Sequence, residues 1–313
     1  MRFGIVILPQ ESWRVARGRW IAAEEFGFDH AWTYDHLSWR SLAGETWHAT
    51  VPILTAAAAV TSRLSLGTLV SSPNFRHPVP FAKEIATIDD ISGGRFLLGV
   101  GSGGTGFDAV TLGQPAYTGQ QRHERFTEFV TDLDVLLRHE RVGGSGISFT
   151  GDWFTAVEAR MVGRPTQRPR VPFVIAANGP RGLALVARFG EGWVTTGKNG
   201  AVGEVWWAGV RELCKRLDDA ARAAGRDPGT IDRYLSLDSG GTYSLASMDA
   251  FETAVGRAAE LGFTDVISHW PRREGIYAGR ESVLSEVALR LHHGHGPDDV
   301  GMPKLGRDPR KPG

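Results

Sequence analysis

The stretch from residue 63 to residue 106, RLSLGTLVSSPNFRHPVPFAKEIATIDDISGGRFLLGVGSGGTG, constrains the fold more than any other part of the chain. Its apolar run at 64–69 predicts a β-strand that ends in a serine–serine–proline–asparagine turn. Pro78 can begin a helix, where its missing N–H is harmless, and apolar residues then recur at helical spacing. A glycine pair ends that helix, and 96–100 predicts a second strand. A strand, a helix and a strand in this order predict a parallel βαβ unit.

The rest of the chain repeats this unit. Eight apolar runs predict strands, and each is followed by a predicted helix. The predicted strands are 3–8, 30–34, 64–69, 96–100, 173–176, 192–195, 234–237 and 265–267. Three of the helices are followed by a glycine, at Gly27, Gly190 and Gly262, where a left-handed C-cap needs no Cβ. Eight βα units favour an α/β fold of the (β/α)8, or TIM-barrel, type over an open sheet.

The domain organisation follows from this count. A barrel of this type commonly reaches 313 residues as one domain. We expect one barrel domain over 1–293, with an insertion at about 143–170, after the fourth long helix, that contains a small hairpin. Residues 294–313 are rich in glycine, proline and charge, and predict a loosely ordered tail or an arm over a partner subunit.

Composition excludes several classes of protein. The 35 basic and 35 acidic residues balance, so the chain has no bulk attraction for nucleic acid or for a membrane surface. The single cysteine, Cys214, excludes an internal disulfide framework and is expected to pack in a helix. No apolar run is long enough to span a membrane, and the residues after Met1 do not form a secretory signal. The expectation is a cytoplasmic protein.

In a barrel, the loops that follow the strands form the ligand site. His36, after the second strand, is the best candidate to handle a proton, because imidazole titrates at about pH 6.5. The alternative is a structural histidine bonded to a backbone carbonyl. Trp39 and Trp47 fall in the same polar loop and can wall a ring-shaped ligand. His269 and Trp270 follow the last strand, and we assign them to the substrate pocket as well.

The glycine loop at 99–104 is a weak Rossmann fingerprint, because the next helix is predicted only near Gln120. Bare backbone there lets a flat ring or a phosphate approach closely; a flexible turn is the alternative. A second anion site is predicted at the start of the fifth helix, where free N–H groups point outward, and simple helix capping is the alternative. This second site consists of Asn178, Gly179, Pro180 and Arg181 at the start of the helix, with Thr195, Thr196 and Lys198 at the next strand end.

Other chemistries find less support in the sequence. A metal site is disfavoured, since no His-Glu-x-x-His motif or close cluster of histidine and aspartate occurs. A serine nucleophile is disfavoured because the chain has no Gly-x-Ser-x-Gly elbow. A redox cofactor fits these loops better, since the cofactor itself carries the reaction.

Four segments of the sequence strongly resemble the luciferase-like monooxygenase superfamily, especially its branch that uses the deazaflavin coenzyme F420. They are LGTLVSSPNFRHPVPFAKEIATIDDISGGRFLLGVGSG, TYDH, GQPAYTGQQRHERFTEF and PFVIAANGPRGLALVARFGEGWVTTG. The resemblance covers most of residues 1–290. It implies a (β/α)8 barrel with an insertion, F420 or FMN bound at the carboxyl ends of the strands, and a homodimer.

The resemblance also assigns residues to the cofactor site. It implies a non-prolyl cis peptide bond after the third strand, which falls at Leu69–Val70, with Ser71 next to it. It places Asp35 and His36 beside the deazaflavin, where we expect both to be catalytic. The cofactor is further expected to contact Gly101, Ser102, Gly103, Ala177, Asn178, Gly179 and Thr195.

One position departs from the family pattern. The F420-dependent sugar-phosphate dehydrogenases carry a glutamate in the loop after the fourth strand, where it donates or accepts a proton. This chain has Gly103 at that place, which argues against sugar-phosphate oxidation and leaves His36 as the main proton handler.

The expected function is therefore hydride transfer from reduced F420 to an activated C=C, C=N or C=O bond of a small-molecule or peptide-derived substrate. One alternative is an FMN-dependent monooxygenase that uses O2 and an external flavin reductase. A second is a flavin-binding relative that has lost its catalysis.

Overall fold

The computed structural model describes residues 1–138 and 145–294. Within these ranges, a helix follows each of the eight barrel strands, as the sequence predicts. Their bounds in chain order are β1 Arg2–Val6, α1 Trp13–Glu25, β2 His30–Thr33, α2 Thr50–Ala58, β3 Ser65–Thr68, α3 Pro78–Ser92, β4 Phe96–Val100, α4 Asp108–Thr111, α5 Gly119–Arg138, β5 Ile147–Thr150, β6 Thr155–Ala159, β7 Phe173–Ala176, α6 Pro180–Phe189, β8 Gly192–Thr195, α7 Gly203–Ala223, β9 Asp232–Ser236, α8 Met248–Glu260, β10 Asp265–His269 and α9 Ser282–Gly294.

Eight parallel strands close into a barrel in the order β1-β10-β9-β8-β7-β4-β3-β2. The last strand pairs with the first, with Val6 opposite His269 and Arg2 opposite Asp265. Strand β4 pairs with β7, because β5 and β6 form a separate hairpin between them in the sequence. The predicted (β/α)8 barrel is therefore confirmed.

The insertion contains the expected hairpin. Strands β5 and β6 pair antiparallel, with Phe149 opposite Ala156. The carboxylate of Glu128, on α5, accepts hydrogen bonds from the backbone N–H groups of Asp152, Trp153 and Phe154, which lie in and after the hairpin turn. The hairpin is thus tied to the barrel through α5. Of the tail predicted at 294–313, Gly294 ends α9, and residues 295–313 lie outside the described residues.

Two local predictions need correction. Gly27 and Gly262 have the expected positive φ of 83° and 78°, but Gly190 has φ −82° and is extended. A Cβ at Gly190 would lie 3.0 Å from the carbonyl oxygens of Val186 and Gly192, so close approach of backbone requires the glycine there. The helix after β4 was expected near Gln120, yet the short helix α4 precedes it.

Apolar side chains form two cores. The larger one lies between the barrel and the helices and includes Trp20, Phe81 and Phe129. The smaller one fills the barrel interior. Its buried members are Val6, Leu8, Trp32, Leu42, Val174, Val194, Tyr234 and Ile267. In the described ranges, no helix is both long and apolar enough to cross a membrane.

Candidate active site

The barrel interior opens at the carboxyl ends of its strands. Residues two apart in a strand point to the same side, so His30, Trp32 and Tyr34 follow one another upward along β2 and its extension. A set of half-buried side chains packs on the interior core at this end, and we call it the barrel mouth. Its members are Tyr34, Trp39, Trp47, Leu69, Val70, Ala176 and Tyr277.

The imidazole of His36 is held at the barrel mouth by Asp108. Its Nδ1 lies 3.3 Å and 3.1 Å from the two carboxylate oxygens. The His36 ring packs edge-on against Tyr34, with ring centroids 6.1 Å apart. The side chain of Asp108 is 6% exposed and that of His36 is 24% exposed. A buried carboxylate can therefore balance a positive imidazole that remains open to a ligand.

Asp35 is buried against Arg76. Its Oδ1 lies 2.7 Å from one terminal nitrogen of the guanidinium, and its Oδ2 lies 3.1 Å from Nε. Arg76 also bonds Glu84 of α3 at 2.8 Å. The Asp35 side chain is only 1% exposed, so it is enclosed and cannot exchange protons freely with a ligand. This contact ties the end of β2 to α3 and fixes the backbone that carries His36.

The peptide bond between Leu69 and Val70 is cis, as the resemblance implies. Both side chains are half-buried at the barrel mouth. Next to them, the Ser71 hydroxyl is buried and has no hydrogen-bond partner in the described part of the chain. A Cβ at Gly101 would lie 2.8 Å from a methyl carbon of Val70. The missing side chain at Gly101 therefore makes room for Val70, which in turn shapes the mouth.

The glycine loop is built around Asn74. Gly103 has φ 74°, and a Cβ there would lie 2.5 Å from the Asn74 Oδ1. That oxygen accepts a hydrogen bond of 2.7 Å from Arg125 of α5. Ser102 is half-buried, and a Cβ at Gly104 would meet no atom within 4 Å. The loop thus needs a glycine at 103 for both its backbone conformation and its packing.

The ends of β7 and β8 are braced by Asn178 and Thr195. The Thr195 hydroxyl donates to the Asn178 Oδ1 at 2.6 Å and accepts from the Gly197 N–H at 2.9 Å. The Asn178 amide donates to the Gly197 carbonyl at 2.8 Å. Helix α6 begins just beyond, with Gly179 as N-cap and no side-chain cap. Simple capping by a side chain therefore does not occur here.

Nearby residues of the predicted cofactor and anion sites differ in exposure. Ala177 is half-buried, whereas Thr196 and Lys198 are exposed. The Thr196 carbonyl accepts a hydrogen bond of 2.9 Å from the indole N–H of Trp206. This bond uses only the backbone of Thr196, so its hydroxyl is available to a ligand. The uncapped start of α6 and these exposed side chains lie on neighbouring strand ends.

Aromatic rings line one side of the barrel mouth. Trp39 and Trp47 stack with ring centroids 6.5 Å apart, and Trp39 packs edge-on against Tyr34 at 5.1 Å. The imidazole of His269 stacks on Tyr277, with centroids 3.7 Å apart and an interplanar angle of 8°. The structure therefore brings Trp39, Trp47 and His269 together, as a substrate wall requires.

Trp270 is not part of this wall. Because His269 points into the barrel, its chain neighbour points outward to the helices. The Trp270 ring stacks on Phe26 at 6.3 Å, and its indole N–H donates to Glu281 at 3.0 Å. Strand alternation thus removes Trp270 from the predicted substrate pocket.

Sequence reasoning missed several residues at this end of the barrel, among them Tyr34 and Asp108. Tyr34 shares the spacing of His30 and Trp32, and this period of two could have identified it. Asp108 lies in a helix of four residues, which is too short to leave a periodic signal. In the ranges 1–138 and 145–294, no group of three or more His, Cys, Asp or Glu residues could hold a metal ion.

Comparison with known proteins identifies the family of this chain. The family model for luciferase-like monooxygenases matches residues 1–276. An F420-dependent glucose-6-phosphate dehydrogenase of Microbacterium testaceum is 34% identical over 69% of this chain and 61% of its own length. An F420-dependent hydroxymycolic acid dehydrogenase of Mycobacterium tuberculosis is 32% identical over 82% of this chain and 65% of its own. The matches thus span less than two thirds of the length of either relative.

The fold has solved counterparts. The structure of the coenzyme F420-dependent tetrahydromethanopterin reductase from Methanopyrus kandleri superposes with a TM-score of 0.71. The superposition covers 94% of this chain and 99% of that protein, at 19% sequence identity. At this identity, the likeness establishes a shared barrel fold.

Proposed function

Because the chain belongs to the luciferase-like monooxygenase family, we propose that it is an oxidoreductase that uses the deazaflavin coenzyme F420. It transfers a hydride to an activated C=C, C=N or C=O bond of a small-molecule or peptide-derived substrate. The two similar dehydrogenases both depend on F420, which supports the assignment of this cofactor. We also propose that the protein acts as a homodimer, in line with the family resemblance.

One observation carries this proposal: a proton-handling imidazole, braced by a buried carboxylate, stands at the same mouth as an apolar strip. The strip consists of the half-buried side chains of Leu69, Val70 and Ala176. The buried hydroxyl of Ser71, which lacks a partner among the described residues, lies next to it in the chain. Such a surface fits a flat ring with polar edges. The uncapped start of α6 fits the cofactor's phosphate.

The residues of the chain take the following roles. When bound, the reduced deazaflavin supplies the hydride. Asp108 holds Nδ1 of His36, so Nε2 is the nitrogen that can give a proton to the substrate. Asp35, through Arg76, positions His36 and takes no direct part in proton transfer. Trp39 and Trp47 wall the mouth and exclude water from the reacting atoms.

Reduction fits this site better than sugar-phosphate oxidation. The family resemblance places the glutamate of dehydrogenases of that kind at the position of Gly103 in this chain. The positive φ and the contact with Asn74 leave no space for an acidic side chain at that position. At position 103, the loop after β4 therefore shapes the site and supplies no acidic side chain.

Titration of the purified protein with F420 and with FMN tests the cofactor assignment. We expect a saturable change in F420 absorbance or fluorescence, and much weaker binding of FMN. Tight FMN binding without affinity for F420, together with O2 consumption in the presence of a flavin reductase, would replace this proposal with the monooxygenase alternative. Binding of F420 without oxidation of its reduced form by any activated alkene, imine or ketone would indicate a non-catalytic relative.

A further inference from the structure

Three side chains at the barrel mouth form a hydrogen-bonded chain that the proposed function does not use. The Asp238 Oδ2 lies 2.7 Å from Nδ1 of His269. On the other side of that ring, Nε2 lies 2.8 Å from the Tyr34 hydroxyl. The side chains of His269 and Asp238 are each 1% exposed, whereas Tyr34 is half-buried and reaches the mouth. A buried pair therefore stands directly behind a phenol that belongs to the barrel mouth.

The surrounding donors fix the direction of these hydrogen bonds. Asp238 also accepts from the backbone N–H groups of His269 and Ser244, each at 2.7 Å. Because these partners donate, Asp238 fits as a carboxylate and Nδ1 of His269 carries a hydrogen. In a neutral imidazole, Nε2 then accepts from the Tyr34 hydroxyl. Burial also raises the pKa of Tyr34 well above its ordinary value, so the phenol keeps its proton.

A similar arrangement lies at the opposite end of the barrel and provides a comparison. There, Nε2 of His30 lies 3.0 Å from Asp265, and the Trp32 indole donates to Nδ1 at 2.6 Å. An indole N–H only donates and does not ionise in this range of pH, so this chain cannot pass a proton on. It lies at the amino ends of the strands, the end associated with stability. The upper chain differs by ending in a phenol that can both give and receive a proton.

We propose that Asp238, His269 and Tyr34 form a proton relay, in which Tyr34, in place of His36, gives its proton to an oxygen atom of the substrate. This inference rests on the proposed function and narrows its substrates to carbonyl compounds, which are aldehydes, ketones or conjugated enones. Imines and alkenes without a conjugated oxygen are excluded.

The relay balances the reaction as follows. The substrate carbon receives the hydride, and the electron pair of the C=O π bond moves to oxygen. That oxygen takes the proton of Tyr34 as the O–H bond of the phenol breaks. Because Tyr34 turns its O–H from His269 to the substrate on binding, Nε2 of His269 takes a proton from water at that stage, and this proton then passes to the phenolate oxygen. Asp238 remains a carboxylate and balances the charge of the transient imidazolium, and the transfer returns His269 to its neutral form.

The surroundings of the relay suit a flat conjugated carbonyl. Tyr277 covers the face of His269, and its hydroxyl lies 3.4 Å from that of Tyr34. Tyr243 donates to the backbone carbonyl of His269 at 2.8 Å, so its hydroxyl is not bonded to the imidazole ring. The nearby cations are Arg40, which lies over the Trp39 ring, and Arg272, which is paired with Glu45 at 2.7 Å. No other charged group contacts the imidazole in the described part of the chain.

Binding of an aromatic oxyanion tests the relay without turnover. The probe is 4-nitrophenolate at pH 8, which mimics the oxyanion and whose absorbance reports its own protonation state. If Tyr34 turns its O–H to the oxyanion, the phenol oxygen must accept a hydrogen bond from Nε2 of His269. His269 therefore takes up a proton on binding. Titration calorimetry in two buffers of different ionisation enthalpy, with and without oxidised F420, measures this uptake.

We expect uptake of up to one proton per bound probe in the unchanged protein. Tyr34→Phe keeps the ring but should lose both this uptake and about tenfold or more in affinity, because a hydrogen bond to a charged group is lost. His269→Gln should also lose the uptake. The matched control Tyr243→Phe removes a phenol that contacts only the backbone of His269, and it should retain the uptake. His36→Ala should retain it too.

Several results would overturn the relay. These are absence of probe binding to the unchanged protein, binding without proton uptake, or uptake that persists in Tyr34→Phe. Loss of uptake in His36→Ala, with uptake retained in His269→Gln, would move the proton donor to His36. The F420 titration is a separate measurement. If the protein binds the probe with proton uptake but does not bind F420, the proposed cofactor is refuted and the proposed relay stands.

Discussion

The Asp108 carboxylate lies 3.1 Å from Nδ1 of His36, although 72 positions separate the two residues in the chain. Helix α4 alone brings Asp108 to this place, and its four residues follow the glycine loop after β4. A histidine that the sequence marks as a proton handler thus has a buried acidic partner from another loop. The pairing explains how one imidazole is oriented with its second nitrogen directed away from Asp108.

Replacement of this pair should separate catalysis from binding. Under the proposed function, in which His36 gives the proton, His36→Ala should lower kcat for the reduction of an accepted substrate by about 100-fold, the lower end of what general acid catalysis contributes. If the Tyr34 relay gives the proton instead, the same variant should keep kcat within about threefold. Asp108→Asn should lower it by roughly tenfold, because the amide keeps the shape but not the charge. Steady-state kinetics with reduced F420 measures both. The Kd for oxidised F420 should stay within about threefold, and a kcat unaffected by His36→Ala would remove its catalytic role.

Position 103, in the loop after β4, should not tolerate a glutamate. At Gly103, φ is 74° and a Cβ would lie 2.5 Å from Asn74, which Arg125 holds in place. We expect Gly103→Glu to lower the free energy of unfolding by roughly 1–3 kcal/mol without creating glucose-6-phosphate oxidation. Urea unfolding measures the first effect, and F420 reduction measures the second. Gly104→Glu is the matched control: it enters open space and should unfold like the parent chain.

The fold could be read from the sequence because each barrel strand is a short apolar run followed by a helix. Pro78 and Gly93 mark the ends of α3 in the sequence and in the structure alike. Gly190 shows the limit of such signals. Its position after a helix predicted a left-handed turn, but two carbonyl oxygens that lie 3.0 Å from where a Cβ would be decide the residue type. Contacts of this kind depend on packing that no local pattern encodes.

The site could be read only in part. Strand ends placed His36, Val70 and Asn178 correctly at one end of the barrel, since all loops after parallel strands meet there. The structure does not place Trp270 in the pocket. Side chains alternate between the two sides of β10, and the predicted strand stopped at Ile267, two residues too early to show that residue 270 points outward. The partners of His36 and His269 come from distant loops, so only the folded chain reveals them.

The ion pair between Asp35 and Arg76 should respond unequally to loss of either partner. Arg76→Met leaves the Asp35 carboxylate buried without its counter-charge, whereas Asp35→Asn leaves Arg76 with Glu84. We expect a loss of about 3 kcal/mol in unfolding free energy for the first variant and roughly 1–2 kcal/mol for the second. Chemical denaturation of both and of the double variant forms a cycle. Equal losses, or a double variant that shows the sum, would mean that the pair is not coupled.

Cys214 should be unreactive while the protein is folded. It is buried in α7, and burial raises the pKa of its thiol to about 11. A raised pKa lowers the ionised fraction, so at pH 8 only about one thiol in a thousand is the reactive thiolate. A chromogenic disulfide reagent should label the folded protein far more slowly than the protein in guanidinium chloride, where one thiol per chain should react. Rapid labelling in the absence of denaturant would contradict the burial.

Asp132 should oppose folding at alkaline pH. It lies in a polar cavity of about 550 Å3 between α5 and the hairpin turn, and its Oδ2 has no partner among the described residues. Burial, together with the charge of Glu128, raises the pKa of this carboxyl to about 7. A raised carboxyl pKa stabilises the fold fully below the unfolded value of about 3.9, and this stability is lost as the pH rises through 7.

Because the cavity admits water, which screens the charge, we expect Asp132→Asn to raise the free energy of unfolding by roughly 1–2 kcal/mol at pH 8 and not at pH 4. Asp134→Asn, on the same helix, should do the opposite at pH 8, since it removes one of the two carboxylates, those of Asp134 and Glu191, that pair with the buried Arg170. Urea unfolding of both variants at the two values of pH decides the matter, and a gain for Asp132→Asn that is equal at pH 4 and pH 8 would show that its charge is not the cause.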